Sequence, residues 1–377
     1  MDSKRYLLSV IVFCFLLTTA SASTKYSGGT GEPNNPYKIA TAQDLIDLGN
    51  EPNDYYKHFV QDANIDLSGY VFDGALIAWD SNSNKTGFNG KFFGGTFDGQ
   101  GYIIKNLHIQ GQDYLGMFGQ IYSDALLLNI RLENTDVNGT GDYIGSLVGY
   151  NEGGKIGFCS NNGLVRGNNT VGGLAGSNSG NIISSYNTGL IESNNGTVGG
   201  LVGSNKGDIT LSYNTGAVES NNNTVGGLVG NNSDGSIISC YNSGAINGNW
   251  YVGGLAGSNY EGNITFSYNI GQIRKGTQYV GGLVGRNCDI RLGCDTVTSS
   301  FWDIQTSGKS SSDGGTGLTT AQMQDVNNYI NAGWDFINEQ GNGTNNFWFI
   351  QENNYPQLTA FSEDAIYELQ GSGAIDD

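Results

Sequence analysis

Residues 198–205 read Val-Gly-Gly-Leu-Val-Gly-Ser-Asn, and this phrase returns at a nearly fixed interval along the middle of the chain. Copies begin at Ile144, Val171, Val198, Val225, Val252 and Val280, 27 residues apart except for a last step of 28. A degenerate earlier copy, Leu-Gly-Met-Phe-Gly, starts at Leu115. Self-similarity at this period marks a solenoid, in which one repeat cannot bury its apolar face alone and does so by stacking on the next.

Aligning the copies turns the sequence into columns. Leu147, Leu174, Leu201, Leu228, Leu255 and Leu283 form an unbroken leucine column, which a buried position explains. Ile156, Ile182, Ile209, Ile237 and Ile264 form a second column, and Val165, Ile191, Val218, Ile246 and Ile273 a third that is wholly β-branched. Three apolar columns separated by Gly and Asn predict three short strands per coil around one elongated core, an all-β, right-handed parallel β-helix with short helical caps at both ends. At ~4.8 Å per coil, seven coils extend for ~34 Å.

The polar columns are as regular. Asn151, Asn178, Asn205, Asn232, Asn259 and Asn287 end the repeated phrase, and Asn187, Asn214, Asn242 and Asn269 close the second strand. Amides stacked in register donate to and accept from their neighbours above and below, so a structural ladder is expected. Paired glycines such as Gly199 and Gly200 fit a corner that needs positive φ or close backbone approach. With no Lys-Ser/Thr after them they are no phosphate cradle. Tyr186, Tyr213, Tyr241 and Tyr268 form an aromatic column that is either a packing ladder or an outward platform for sugar rings, with packing favoured. Strict alternation puts them on the isoleucine side, yet the residue before Ser/Cys varies (Phe158, Ser184, Leu211, Ser239, Phe266) and suggests a bulge.

Composition narrows the function classes. The 60 glycines and 4 prolines suit many short strands joined by tight turns. A net charge of −18, from 17 basic and 35 acidic residues, opposes nucleic-acid binding, which relies on dense Lys and Arg. Lys4 and Arg5, the apolar run Leu7 to Leu17 and the Ala20-Ser21-Ala22 site read as a secretory signal peptide, with cleavage expected after Ala22. The mature chain is then secreted or held at the cell surface, with no transmembrane segment of its own.

Cys159 and Cys240 stand where Ser185, Ser212 and Ser267 stand in other coils. Three coils separate them, ~14 Å, too far for a disulfide that needs Cα atoms within ~7 Å. Cys288 and Cys294 break the repeat and either pair across a short loop or stay free.

A signal peptide (1–22) is expected to precede an N-terminal cap with irregular coils (23–110). The repeat array (111–305), a C-terminal cap (306–360) and a tail (361–377) follow. Thr41 caps a short helix ending at Gly49, and Thr319 or Thr320 caps a second helix running toward Ile330. One segment per coil, between the third strand and the next Val-Gly-Gly, departs from the consensus, as loops on a binding face do. Trp250, Tyr251, Arg274, Lys275 and Tyr279 cluster there in adjacent coils and are the candidate ligand contacts.

The Gly-Leu-(Val/Ala)-Gly core at 173–176, 200–203, 227–230, 254–257 and 282–285 resembles the GLUG motif. That repeat is known from bacterial secreted and surface proteins, including adhesin-like proteins and the non-catalytic part of an immunoglobulin-A-specific metallopeptidase. The resemblance covers roughly residues 110 to 305 and implies an extracellular β-solenoid; it supplies no catalytic residues.

The chemistry that would make an enzyme is sparse. His58 and His108 are the two histidines and neither sits in a His-Glu-x-x-His pair, so no zinc peptidase site is expected. No metal, cofactor or catalytic residue is assigned. The expected role is a monomeric binding, adhesion or structural module for a glycan or extracellular protein surface. The alternative is a polysaccharide-active lyase or hydrolase centred on the irregular stretch 286–295, where Arg286, Asp289, Arg291 and Asp295 gather.

Overall fold

A computed structural model describes residues 25–82, 86–221, 224–287 and 297–361. The expected leader and cleavage site, Cys288, Cys294 and the residues beyond Phe361 lie outside the described residues.

The coil that starts at Thr170 shows the plan. Strands β1 (Thr170–Gly172), β2 (Ala175–Asn178), β3 (Asn181–Ile183), β4 (Tyr186–Asn187) and β5 (Ile191–Ser193) follow one another. Each pairs in parallel with its own copy 27 residues later. Copies of β1 make a five-stranded sheet, copies of β2 a seven-stranded one and copies of β3 a ten-stranded one, while β4 and β5 share a fifteen-stranded sheet. The chain is an all-β parallel β-solenoid.

The three apolar columns are all inside. Leu174 sits at the corner between β1 and β2, Ile182 in β3 and Ile191 in β5, each with no exposed surface, and Val171 adds a fourth column in β1. Backbone bonds run leucine to leucine along the axis, from Leu174 N to Leu201 O at 2.9 Å and from Leu201 N to Leu228 O at 2.8 Å. The coil divides into five short strands because glycine corners interrupt it. A Cβ on Gly200 would stand 2.1 Å from the carbonyl oxygen of Gly227 and 2.3 Å from the Asn214 side chain. Close approach, and not positive φ, is what this column requires.

Both asparagine columns form amide chains. Asn151 Nδ2 donates to Asn178 Oδ1 at 2.7 Å, and the chain continues through Asn205, Asn232 and Asn259 to Asn287 at 2.7 to 2.8 Å. The second runs from Asn161 through Asn187, Asn214 and Asn242 to Asn269 at 2.8 to 2.9 Å. The amides from Asn151 to Asn259 and from Asn161 to Asn269 also donate to a glycine carbonyl of their own coil, as Asn178 does to Gly180 at 2.9 Å. Buried amides cost free energy unless paired, and these pair both ways.

The suspected bulge is a left-handed residue. Phe158, Ser184, Leu211, Ser239 and Phe266 have φ of 55, 46, 49, 53 and 49°. Each shifts the alternation by one. Ser185 therefore points inward and accepts from the backbone N–H of Cys159 at 3.1 Å, and Tyr186 points outward, opposite to strict alternation. Cys159 and Cys240 are free and fully buried.

The array extends beyond the regular repeats, since the ten-stranded sheet begins at Tyr37–Ile39 and one core cluster runs from Ile39 to Trp302. Helix α1 (Ala42–Gly49) closes the N-terminal end with Leu45 and Leu48 buried; Thr41 and Asp44 form a capping box. At the other end Ser311 O accepts from Gly282 N at 2.9 Å and Asp313 N donates to Val284 O at 3.1 Å, which satisfies the open edge. The helix expected after Thr319 is two, α2 (Thr320–Met323) and α3 (Val326–Ile330). Asp325 splits them by accepting from Asn327 N at 3.0 Å as a new N-cap.

Residues 323–361 then fold back along the flank. Met323, Tyr329, Trp334, Phe336, Trp348 and Leu358 make a second apolar cluster with Tyr268 and Phe301. The tyrosine column lies under it, its rings stacked at 4.9, 4.9 and 5.1 Å with planes within 8°. Phe361 stands edge-on to Tyr186 and Tyr213. The column faces away from the solenoid core and is a packing ladder, not an open platform.

Candidate functional site

With the tyrosine ladder covered, the outer faces of the β1 and β2 sheets hold the exposed aromatic groups of the array. Register makes two outer columns there. One runs Tyr114, Tyr143, Thr170, Thr197, Thr224, Tyr251, Tyr279, coil by coil. Beside it run Gln120, Tyr150, Ser177, Ser204, Asn231, Ser258 and Arg286. Small hydroxyl and amide residues occupy the middle coils, and aromatic groups gather at both ends, ~19 Å apart between Tyr143 and Tyr251.

At the C-terminal end Tyr251 and Tyr279 stack at 5.0 Å. Arg286 lies 5.5 Å from both ring centroids, and its Nη1 donates to the Tyr251 hydroxyl at 3.2 Å. Of the five candidate contacts, the structure brings these two tyrosines together. Trp250 and Lys275 are exposed, and Arg274 Nε donates to Gln272 Oε1, just ahead of its strand, at 3.2 Å. Arg286 is the member that the variable-loop reading passed over, because it sits on a strand. Apart from Arg286 and Asn287, the 286–295 stretch lies outside the described residues.

At the N-terminal end the aromatic cluster is larger and forms a cleft of about 540 Å³. Phe88, Phe92, Tyr114, Tyr122, Tyr143, Tyr150, Gln120 and Glu152 line it. Tyr143 packs on Tyr114 at 4.9 Å and on Tyr150 at 5.3 Å, Phe88 meets Tyr114 at 5.3 Å, and Phe92 stacks on Tyr122 at 4.7 Å. Within it buried Gln120 donates through Nε2 to Oε2 of the exposed Glu152 at 2.5 Å. An acidic hollow of about 410 Å³ adjoins it, lined in part by Asp73, Asp80 and Asp113. Burial, with smaller contributions from Tyr143, Asp80 and Asp113, pushes the Tyr114 phenol up to about 12. Among the described residues no group of three His, Cys, Asp or Glu side chains is placed to hold a metal ion.

Extending the column alignment one residue ahead of Leu115 and Ile144 exposes Tyr114 and Tyr143 as aromatic replacements for threonine. No periodic signal points to Phe88 and Phe92, which arrive on an insertion outside the repeat.

These features define a class, a parallel β-solenoid with its distinctive groups on one outer face. The family model described as "The GLUG motif" matches residues 221–247, one full coil, and the chain is a GLUG-repeat β-helix protein. "Halomucin" of Haloquadratum walsbyi is 31% identical over 159 residues, 40% of this chain and 2% of that protein. A "Putative Gly-rich membrane protein" of Evansella cellulosilytica is 34% identical over 135 residues, 35% of this chain and 15% of that one. The chain thus spans a small fraction of either relative.

Two solved structures share the fold. A "putative immunoglobulin A1 protease" from Bacteroides ovatus superposes with a TM-score of 0.54 at 20% identity, covering 89% of this chain and 96% of that one. An "IgA1 Protease" gives 0.55 at 21% identity over 81% of this chain and 25% of that one. At such identity the likeness concerns architecture alone.

Proposed function

We propose that this chain is a surface or secreted β-solenoid that binds a glycan or protein partner through the outer face of its β1 and β2 sheets. One observation carries the reading: this face keeps a single register over seven coils, from Tyr114 to Tyr279, and concentrates aromatic groups at its ends. Exposed aromatic rings with a polar surround are a recurrent feature of recognition surfaces. The relatives add support, one being named "Halomucin" and the other a "Putative Gly-rich membrane protein". No helix among the described residues is long and apolar enough to cross a membrane. The signal peptide read in residues 1–22 supplies the export route on this view.

Retention of the intact chain on insoluble polysaccharides and on a glycan array tests the reading. Wild-type protein is expected to be retained without sugar release, and a Tyr122→Ala, Tyr251→Ala, Tyr279→Ala triple variant to be retained less with an unchanged melting temperature. Equal retention of wild type and variant would overturn the role of this face, and retention of neither would leave a plain stalk. Release of reducing or unsaturated sugars would favour the enzymatic alternative.

A further inference from the structure

The N-terminal cleft has the composition of a specific site and not of a general sticky face. Its volume falls within roughly 300–1,000 Å³, the range of small-molecule sites, and its lining mixes aromatic rings with polar groups. Those polar groups are placed. Gln120 is only 6% exposed, and its amide is held by Glu152. Among the described residues no donor reaches Gln120 Oε1 or Glu152 Oε1, so two acceptors, one on buried Gln120 and one on exposed Glu152, remain beside the aromatic rings. Tyr122 stands across from Glu152 in the strand register, and Phe92 stacks on Tyr122.

A pyranose ring matches this surface. Its faces carry C–H groups that pack on the negative face of an aromatic ring, and its edge carries hydroxyl donors for carboxylate and amide oxygens. Charge decides among sugars. The adjoining hollow is lined by Asp73, Asp80 and Asp113, Glu152 is itself acidic, and the chain carries a net charge of −18. A uronate or sulfated sugar would meet repulsion here with no Lys or Arg among the lining residues. We infer that the cleft formed by Phe92, Tyr122, Tyr150, Gln120 and Glu152 binds a neutral oligosaccharide segment. The inference rests on the proposed binding role and adds the place and the class of ligand.

Calorimetry and saturation-transfer NMR on the intact chain test it with cellohexaose, xylohexaose and mannohexaose as neutral probes and hexagalacturonate as the anionic one. At least one neutral probe is expected to bind and hexagalacturonate not to. Tyr122→Ala and Glu152→Gln are each expected to weaken binding about tenfold, since each removes a stacking surface or a charge-assisted acceptor. Tyr102→Ala is expected to leave it within about twofold, because that exposed ring lies outside the cleft. Neutral binding lost with Tyr251→Ala but kept in both cleft variants would overturn the cleft while preserving the binding role. Absence of binding to any probe, together with no retention in the polysaccharide assay, would overturn the glycan reading as a whole. Hexagalacturonate bound as tightly as the neutral probes would overturn the ligand class.

Discussion

Asn178 and Asn205 stand in successive coils with their side-chain amides joined at 2.8 Å, and Asn205 passes the same bond to Asn232 at 2.8 Å while donating to Gly207 O. The pair turns a buried polar column into a continuous chain in which each member orients the next.

Replacing one link tests that chain. Asn205→Ala removes a donor and an acceptor together and is expected to cost about 2–4 kcal/mol. Asn205→Asp is expected to cost more at neutral pH, because a carboxylate faces the Asn232 and Gly207 oxygens with no proton to give. Burial raises the pKa of such a carboxyl above its ordinary ~4, so its penalty is absent below that value and grows as pH rises. Urea unfolding at pH 4 and pH 7, each against wild type, is expected to show the smaller deficit at pH 4. Equal deficits would mean that the amide proton is not what the ladder needs.

The flank cover makes a second prediction. Trp334 has no exposed surface, touches Tyr268, Tyr329 and Trp348, and its indole N–H donates to Ser299 O at 2.8 Å. Trp334→Ala is expected to cost about 3–5 kcal/mol, taken locally from residues 323–361 and not from the coils. Limited proteolysis is expected to remove the cover and leave a protected solenoid. Burial, and then the neighbouring Tyr241 and Tyr186, holds the Tyr213 phenol well above its ordinary value, and burial does the same to Tyr241. The cover's contribution is therefore complete below pH ~10 and is lost as pH rises beyond it. In the variant these phenols are expected to ionise near pH 10 in an ultraviolet titration.

Much of this architecture is legible in the residues because stacking repeats the same environment. The Leu174 and Ile182 columns, the Asn178 chain and the Thr41 cap each follow from local rules applied at a fixed period. What escaped depends on single residues that break periodicity without a signature. The left-handed position holds Phe158, Ser184 and Leu211, none of them the Gly or Asn that would advertise it, so the facing of Tyr186 was not readable. Asp325 divides the C-terminal helix by capping in a place where the apolar pattern continues. The cleft is the least legible part. Tyr114 and Tyr143 occupy a register column, but Phe88 and Phe92 reach them through a chain path with no period, and the Gln120 to Glu152 bond spans 32 residues.

The buried cysteines are predicted to behave as serines. Cys240 Sγ donates to Ile238 O at 3.2 Å, and its backbone N–H donates to Ser267 Oγ at 3.0 Å, the same pattern that Ser185 and Ser212 make with hydroxyls. Cys159→Ser and Cys240→Ser are expected to change stability by less than ~1 kcal/mol. Burial pushes both thiols up to about 12, so labelling by a thiol reagent at pH 8 is expected to wait for unfolding. Fast labelling of the folded protein would show that the coil opens there.

The left-handed residue gives the sharpest test of why the tyrosines face outward. Ser239 has φ 53° and lies between the inward Ile237 and the outward Tyr241, so its conformation carries the shift in alternation. For an L-residue that conformation costs ~1–2 kcal/mol, which glycine avoids at the expense of a more disordered unfolded chain. Ser239→Gly is therefore expected to lie within ~1 kcal/mol of wild type. Ser239→Val places a β-branched side chain where it is least tolerated, in a site only 4% exposed, and is expected to lose ~2–3 kcal/mol. The valine can relax in one other way, by returning to extended φ. That would restore strict alternation, turn Tyr241 inward against the isoleucine column and strip it from the rings of Tyr213 and Tyr268. Thermal unfolding together with near-ultraviolet dichroism of the tyrosine stack distinguishes the two. A stable valine variant with the stack signal intact would show that the backbone at 239 is not what sets the facing of the column.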